Sequence, residues 1–321
     1  MSRSEAPTIS CVVPCRNEAE NLARLLPLLM QTLDGCTRAW EIVLVDDGST
    51  DASPLRMAEW AQQPGVRVLQ LSRNFGKEAA LSAGLQAAVG DVVVSLDADL
   101  QHPPALIPCF LAHWQQGADV VYALRQSRES EPWFKRVGTR LFYAMVNAAD
   151  RFEVPPGAGD FRLMDRSVVD ALCALPERNR FMKGLYAWVG FKTVAVPYEP
   201  DPRAHGISRF GPLQLMRLSL DGLTGFTTWP LRAVSTAGLL LALPALGYGA
   251  YLIALYLVYG HQVSGWTTIV VTLMLFSGLQ MISLGVVGEY VARIFEEVKG
   301  RPLFIVKQEL GLGLKDTRPR R

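Results

Sequence analysis

The first half of the chain alternates short, nearly continuous apolar runs with longer segments of helical period. Ile9 to Pro14, Glu41 to Asp46, Val66 to Leu71 and Asp91 to Leu96 read as strands. Between them, Glu18 to Leu33 places Leu22, Leu25, Leu26 and Leu29 on one helical face. Asp51 to Gln62, with Asp51 or Ser49 as N-cap, and the Ala-rich Gly76 to Val89 read as the next two helices. Strands without polar alternation, separated by helices, predict a mostly parallel sheet covered on both faces. Such sheets bind ligands beyond the carboxyl ends of their strands. Lys192 to Glu199 adds a late strand.

Further along, the pattern changes twice. Glu131 to Asp150 mixes Trp133, Phe134, Leu141, Phe142 and Met145 with Lys135, Arg136 and Arg140. That composition suits a basic amphipathic helix at a membrane surface and equally a helix packed on the domain. Leu213 to Trp229 is again amphipathic. From Ala233 to Gly288 there is no Asp, Glu, Lys or Arg. One membrane span needs about 20 apolar residues, so this stretch predicts two, near Leu231 to Tyr259 and Thr267 to Val291, with a turn at Gly260 to Gly265. Arg232 flanks one side, and Arg293, Lys299 and Arg301 the other, while the turn has no Lys or Arg. The positive-inside rule then puts both ends in the cytoplasm.

Composition fits this mixed plan. Hydrophobic residues make up 50% and charged residues 19%, with a mean hydropathy of +0.17. That is apolar for a soluble enzyme and charged for a polytopic transporter. A net charge of +2 gives no global case for nucleic acid. The five cysteines form no Cys-x-x-Cys, and the four histidines are not at ligand spacing to them. Reduced thiols on a cytosolic face are expected, and a zinc site is not. The polar start, Met1 to Pro7, and the short apolar stretch after it predict no signal peptide.

The candidate chemistry sits at strand ends. Asp46-Asp47-Gly48-Ser49 closes the second strand, where a carboxylate can bind a ribose or base and Gly48 allows a sharp turn. Asp and Gly are also ordinary turn residues. Asp97-Ala98-Asp99-Leu100-Gln101 closes the fourth strand. Two carboxylates one residue apart, plus an amide oxygen, suit a hard cation such as Mg²⁺ or Mn²⁺ bridging a diphosphate. Pro14, Asn17 and Glu18 close the first strand. Asn17 and Glu18 are nucleotide contacts, a helix start with Asn17 as N-cap, or both.

These motifs, in order with Asn74-Phe75-Gly76-Lys77 and Gly159-Asp160-Phe161-Arg162-Leu163-Met164, resemble the family 2 glycosyltransferases. With the membrane hairpin they are similar to the polyprenyl-phosphate branch, including dolichyl-phosphate mannose synthases and, most closely, bacterial bactoprenol glucosyl transferases. Leu175 to Gly184 also resembles the bactoprenol group. The resemblance runs from Ile9 to about Lys307. It implies an α/β, GT-A (Rossmann-like) fold plus a C-terminal two-helix transmembrane hairpin. Residues 1–210 would form the cytoplasmic catalytic domain, 211–230 an interface helix, 231–293 the two spans and 294–321 a cytoplasmic tail.

The resemblance also implies roles. Pro14, Asn17, Glu18, Asp47 and Asp97 would line the nucleotide site, with Lys77 either a phosphate contact or a surface lysine. Asp97, Asp99 and Gln101 would hold Mg²⁺ or Mn²⁺ and the diphosphate. Asp160 would sit at the reacting sugar as base or orienting group, and with Asp99 forms the catalytic pair. Arg125 and Arg140 would bind the lipid phosphate. Arg209, where the family often has Lys, would join them, although the two cations differ in geometry. The expected reaction is inverting transfer of one sugar, glucose from UDP-glucose before other hexoses, amino sugars or 4-amino-arabinose derivatives, to undecaprenyl phosphate at the inner membrane. The alternatives are a processive polysaccharide synthase, whose Gln-x-x-Arg-Trp motif is not found, and a non-catalytic membrane adaptor. A homo-oligomer and a downstream flippase stay open as partners. Deleting the chain beyond 230 is expected to spare nucleotide binding.

Overall fold

A computed structural model describes residues 3–125, 158–178, 180–198, 229–259 and 265–314. The predicted amphipathic segments at 131–150 and 213–228, and the hairpin turn at 260–264, lie outside the described residues. Strands β1 (Ile9–Cys15), β2 (Trp40–Asp46), β3 (Val66–Leu71) and β4 (Val92–Ser95) pair in parallel in the order β4-β1-β2-β3. Their largely apolar sequences follow from this, since the central strands are covered on both faces, and β3 interrupts its run with the half-buried Arg67 and Gln70. β5 (Val120–Arg125), β6 (Ala158–Asp165) and β7 (Thr193–Tyr198) extend the sheet beyond β4, in the order β7-β5-β6-β4. β6 runs antiparallel to both neighbours, and β5 pairs with β7 in parallel. The eight-stranded sheet is therefore mixed, with a parallel centre.

Side chains of β1 divide between two cores. Ile9, Cys11, Val13 and Cys15 pack with α1 (Ala19–Cys36), α2 (Ser53–Trp60) and α4 (Ile107–Gln115). Val12 points the other way, toward α3 (Lys77–Ala87), α5 (Arg166–Ala174) and α6 (Met182–Trp188). The predicted leucine stripe of α1 is fully buried, as are Phe110 and Phe161. Each such side chain contributes roughly 1.5–3 kcal/mol by leaving water.

Two long helices follow, α7 (Trp229–Tyr259) and α8 (Trp266–Lys299). Ala233–Val258 and Thr272–Lys299 have mean hydropathies of 1.8 and 1.3 and are not buried, so both are long and apolar enough to cross a membrane.

One element revises the expected organisation. Residues beyond 293 are not only a tail, because β8 (Val306–Gly311) returns to the sheet and pairs antiparallel with β3. Its alternation is too polar and too short to stand out in the sequence. The buried Glu41 carboxylate then holds the segment after it. Glu41 accepts hydrogen bonds from Ser10 Oγ, Val89 N and, at 3.1 Å, Leu314 N.

Candidate active site

The site is set by where strands end. β4 and β6 pair antiparallel with Ser95 opposite Arg162, so two residues further on Asp97 and Asp160 come side by side. Ser95 Oγ donates to the Asp160 carbonyl at 2.6 Å and ties the two strand ends together. Lys77, at the start of α3, closes the cluster. Its Nζ lies 2.6 Å from Asp97 Oδ1, 2.8 Å from Asp97 Oδ2 and 2.6 Å from Asp160 Oδ2. The expected phosphate contact is thus an ion-pair partner of two of the other expected site residues.

Charge in this cluster is strongly coupled. Burial pushes the Asp97 carboxyl up, but the Lys77 ammonium, helped by the nearby His102, outweighs it and holds Asp97 well below the usual carboxylate range. Burial and Asp97 raise Asp160, while Lys77 and Lys183 bring it below its ordinary value. Burial works against the Lys77 ammonium, and the two carboxylates more than compensate, raising it. All three groups are therefore ionised at neutral pH. Oδ1 of Asp160 is buried without a hydrogen-bond partner among the described residues.

The Asp99 carboxylate is largely buried and accepts the Gln101 amide at 3.2 Å. Between them Leu100 adopts φ 63°, a left-handed conformation that costs a non-glycine residue about 1 kcal/mol or more. Strain of this kind concentrates at functional turns. Among the described residues no three His, Cys, Asp or Glu side chains form a ready metal cage. The donor set still fits Mg²⁺ or Mn²⁺, which takes one or two carboxylates and fills its shell with phosphate and water oxygens.

The first two strand-end loops are stapled to each other. Asn17, at φ 57°, accepts Thr50 N at 2.8 Å, and its own amide donates to Ser49 Oγ at 2.9 Å. Its side chain does not cap α1; Glu18 holds the cap position without a side-chain cap bond. Glu18 N donates to Ser53 Oγ at 2.8 Å, and Glu18 Oε2 accepts Asn21 Nδ2 at 2.5 Å. Pro14 pairs with Val45 beneath this loop. Asp47 accepts the amides of Phe75 and Gly76 at 2.7 and 3.0 Å, which binds the β2 end to the β3–α3 loop. Burial raises the Asp47 carboxyl despite those two donors. Gly48 is required here. At φ +64°, a Cβ would stand 2.6 Å from the backbone of Arg73 and Asn74.

Arg140 and Arg209 lie outside the described residues. Arg125 ends β5, pairing with Tyr198, and its side chain is likewise outside them.

Two further residues, His102 and Arg162, join the cluster, and a third, Lys307, lines a cavity further along the rim. His102 Nε2 is 3.7 Å from Asp97 Oδ2, and its Nδ1 lies 3.0 Å from Tyr198 Oη. Arg162 is buried with its guanidinium 3.5 Å from the Tyr186 ring centre. Lys307, on β8, lines a cavity of about 260 Å³ together with Asp46, Ser49, Gln70, Ser72 and Arg73. His102 directly follows the Asp97–Gln101 motif. Arg162 shares a strand face with Asp160 by the two-residue period. Both were therefore within reach of sequence pattern; Lys307 was not, since nothing local marks β8.

Carboxylates gathered at the carboxyl ends of a parallel sheet follow the general plan by which α/β proteins bind ligands outside their strand ends. The chain belongs to glycosyl transferase family 2, whose model matches residues 10–173, and has that family's GT-A architecture. An uncharacterized glycosyltransferase of Synechocystis sp. is 41% identical over 95% of this chain and 96% of its own length. The SfII prophage-derived bactoprenol glucosyl transferase of Shigella flexneri is 42% identical over 94% of this chain and 97% of its own. A prophage bactoprenol glucosyl transferase homolog of Escherichia coli K12 is 40% identical over 94% and 98%.

Proposed function

We propose that the protein transfers one sugar from a nucleotide-sugar donor to a polyprenyl phosphate at the cytoplasmic face of the plasma membrane, with both termini cytoplasmic. The observation that carries this is the union, in one chain, of an acidic strand-end cluster and two exposed apolar helices. Relatives named bactoprenol glucosyl transferases, matched over 94% of the chain, support the lipid acceptor and make glucose the first donor to test. A long prenyl tail stays in the bilayer, so a site tethered beside the membrane meets the acceptor without extracting it.

In the proposed reaction a lipid phosphate oxygen attacks the anomeric carbon from the face opposite the donor diphosphate. The new C–O bond forms as the bond to the diphosphate breaks, and the nucleoside diphosphate leaves with the electron pair. A phosphate dianion needs no base, so positioning and charge compensation supply most of the rate. Asp160, held ionised by Lys77, serves as an acceptor for a sugar hydroxyl rather than as a base. Arg125, Arg140 and Arg209 are the proposed lipid-phosphate cations. Pro14, Asn17, Glu18 and Asp47 border the nucleotide. Asp97, Asp99 and Gln101 would hold Mg²⁺ or Mn²⁺, which would offset the charge developing on the leaving diphosphate.

The test is a panel of radiolabelled UDP- and GDP-sugars offered with undecaprenyl phosphate to the full-length protein in detergent. One labelled sugar per lipid is expected. A polymer product would indicate a processive synthase, and no turnover with any donor an adaptor.

A further inference from the structure

We propose that Lys307 is a donor-binding residue, so that the strand following the second apolar helix completes the nucleotide end of the active site. The starting observation is a break in strand register. Gln70 pairs with Gln308 and Leu71 with Val306, which leaves Lys307 as the extra residue of a β-bulge. Bulges beside functional sites re-aim a side chain out of the regular alternation. Here the re-aimed side chain lines the cavity at the carboxyl ends of β2 and β3.

The lining has the chemistry to take the nucleoside end of a donor. Asp46, at the end of the second strand, offers a carboxylate of the kind that accepts a ribose hydroxyl. Ser49 and Ser72 add hydroxyls, and Arg73 and Lys307 add N–H donors for the carbonyl oxygens of a base or the oxygens of a ribose. The position also fits. The cavity lies two to three strands from the end of β4 in the order β4-β1-β2-β3. At roughly 4.8 Å per strand that is about 10–14 Å from the Asp97 cluster. A nucleoside diphosphate with its diphosphate at Asp97 reaches that far along the rim.

Lys307 is held there by contacts on both sides. Ser72 N donates to Ile305 O at 2.9 Å, and Arg67 pairs with Glu309. The end of α8 is anchored a few residues earlier, where Arg178 N donates to Glu297 Oε1 at 2.9 Å. The segment leaving the second apolar helix thus runs directly into the donor cavity.

The inference rests on the proposed glycosyl transfer, and one experiment separates the two. Full-length wild type, Lys307→Ala and Lys307→Arg are titrated calorimetrically with UDP and GDP, and donor kinetics are measured with undecaprenyl phosphate. Lys307→Ala should weaken binding of the preferred nucleotide and raise donor KM about tenfold. Its kcat and acceptor KM should stay within twofold, and Lys307→Arg should recover most of the loss. Arg73→Ala, which leaves the β3–β8 ladder intact, should weaken the nucleotide in the same direction. If wild type binds UDP or GDP and both alanine variants bind it equally well, Lys307 has no donor role while the proposed function stands. If wild type binds neither nucleotide, both fall.

Discussion

Lys77 Nζ lies 2.6 Å from Asp160 Oδ2, so the first turn of α3 and the antiparallel strand β6 are joined by an ion pair across the rim. The same ammonium holds Asp97. Replacing Lys77 by Met should leave two mostly buried carboxylates facing each other. Lys77 is 45% exposed, so the loss is discounted to about 2 kcal/mol from the 3–5 of a fully buried pair. Urea unfolding at pH 7 measures it. The sign with pH follows from the lowered carboxyls. Their stabilising contribution is present above the ordinary carboxylate pKa of about 4 and is lost as pH falls through the lowered values. Lys77→Met should therefore be less destabilising at pH 3 than at pH 7. Equal losses at both would contradict the ion-pair account.

Glu78, beside Lys77, titrates in the opposite sense. Burial, then the charge of Asp160, lifts its carboxyl to about 7, against the pull of Lys77, Lys183 and the Met182 amide. A raised acid contributes stability that is complete below its unfolded value of about 4.5 and is lost as pH rises through 7. Glu78→Gln should flatten the thermal midpoint between pH 5 and 8, and raise it relative to wild type at pH 8. A wild-type midpoint independent of pH across that range would show that Glu78 is not so perturbed.

The parallel half of this fold was legible because its strands are mostly buried and α1 carries an unbroken apolar stripe. Ile9 to Pro14, Val66 to Leu71 and the Leu22–Leu29 stripe needed no tertiary information. The strand-end motifs were legible for the same reason, since a parallel sheet fixes where its ends point. The half beyond β4 was harder. β6 carries the Asp160–Met164 motif, but its antiparallel course depends on partners distant in sequence. Asn17 reads locally as a helix cap, yet its side chain is taken by Thr50 on another loop. β8 is the extreme case, because an exposed edge strand after two apolar helices looks like a solvated tail.

Gly48→Ala tests the coupling of the β2 end to the β3–α3 loop. A side chain at φ +64° costs about 1–2 kcal/mol, and its Cβ would press on backbone atoms of Arg73 and Asn74 that cannot swing away. The loop carrying Phe75 and Gly76 should be pushed off Asp47. Nucleotide affinity is expected to fall at least tenfold by calorimetry, with acceptor KM little changed. Unaltered affinity would separate this loop from the donor.

The return of β8 to the sheet predicts a cost of truncation that the expectation of spared nucleotide binding leaves out. Removing the residues beyond 230 deletes β8 and strips Leu314 from the buried Glu41. The exposed β3 edge then becomes a template for aggregation. A protein ending at residue 305 should lose stability and solubility even though both apolar helices are retained. Glu41→Ala should also destabilise, by about 2 kcal/mol, by taking the acceptor from Ser10 Oγ and Leu314 N, while Val89 N keeps its bond to Ser10 Oγ. Urea midpoints of the two proteins in detergent check this. A truncated chain as stable as the full one would make β8 an ornament of the edge.

Lys77 also predicts how the proposed metal enters. Its ammonium lies within 2.8 Å of both Asp97 carboxylate oxygens, so a divalent ion must compete with it for that carboxylate. Asp99 remains as the other acidic partner, and donor phosphates supply further oxygens only once the nucleotide is bound. Mn²⁺ should therefore bind wild type weakly alone and at least tenfold more tightly with UDP or GDP present. In Lys77→Met, Mn²⁺ alone should gain affinity because two carboxylates lose their cation. Asp99→Asn should weaken the nucleotide-dependent binding in either background. Electron paramagnetic resonance of free Mn²⁺, titrated with protein with and without nucleotide, reads all three without relying on turnover. Identical Mn²⁺ affinities for wild type and Lys77→Met would mean that the ammonium and the metal do not share Asp97.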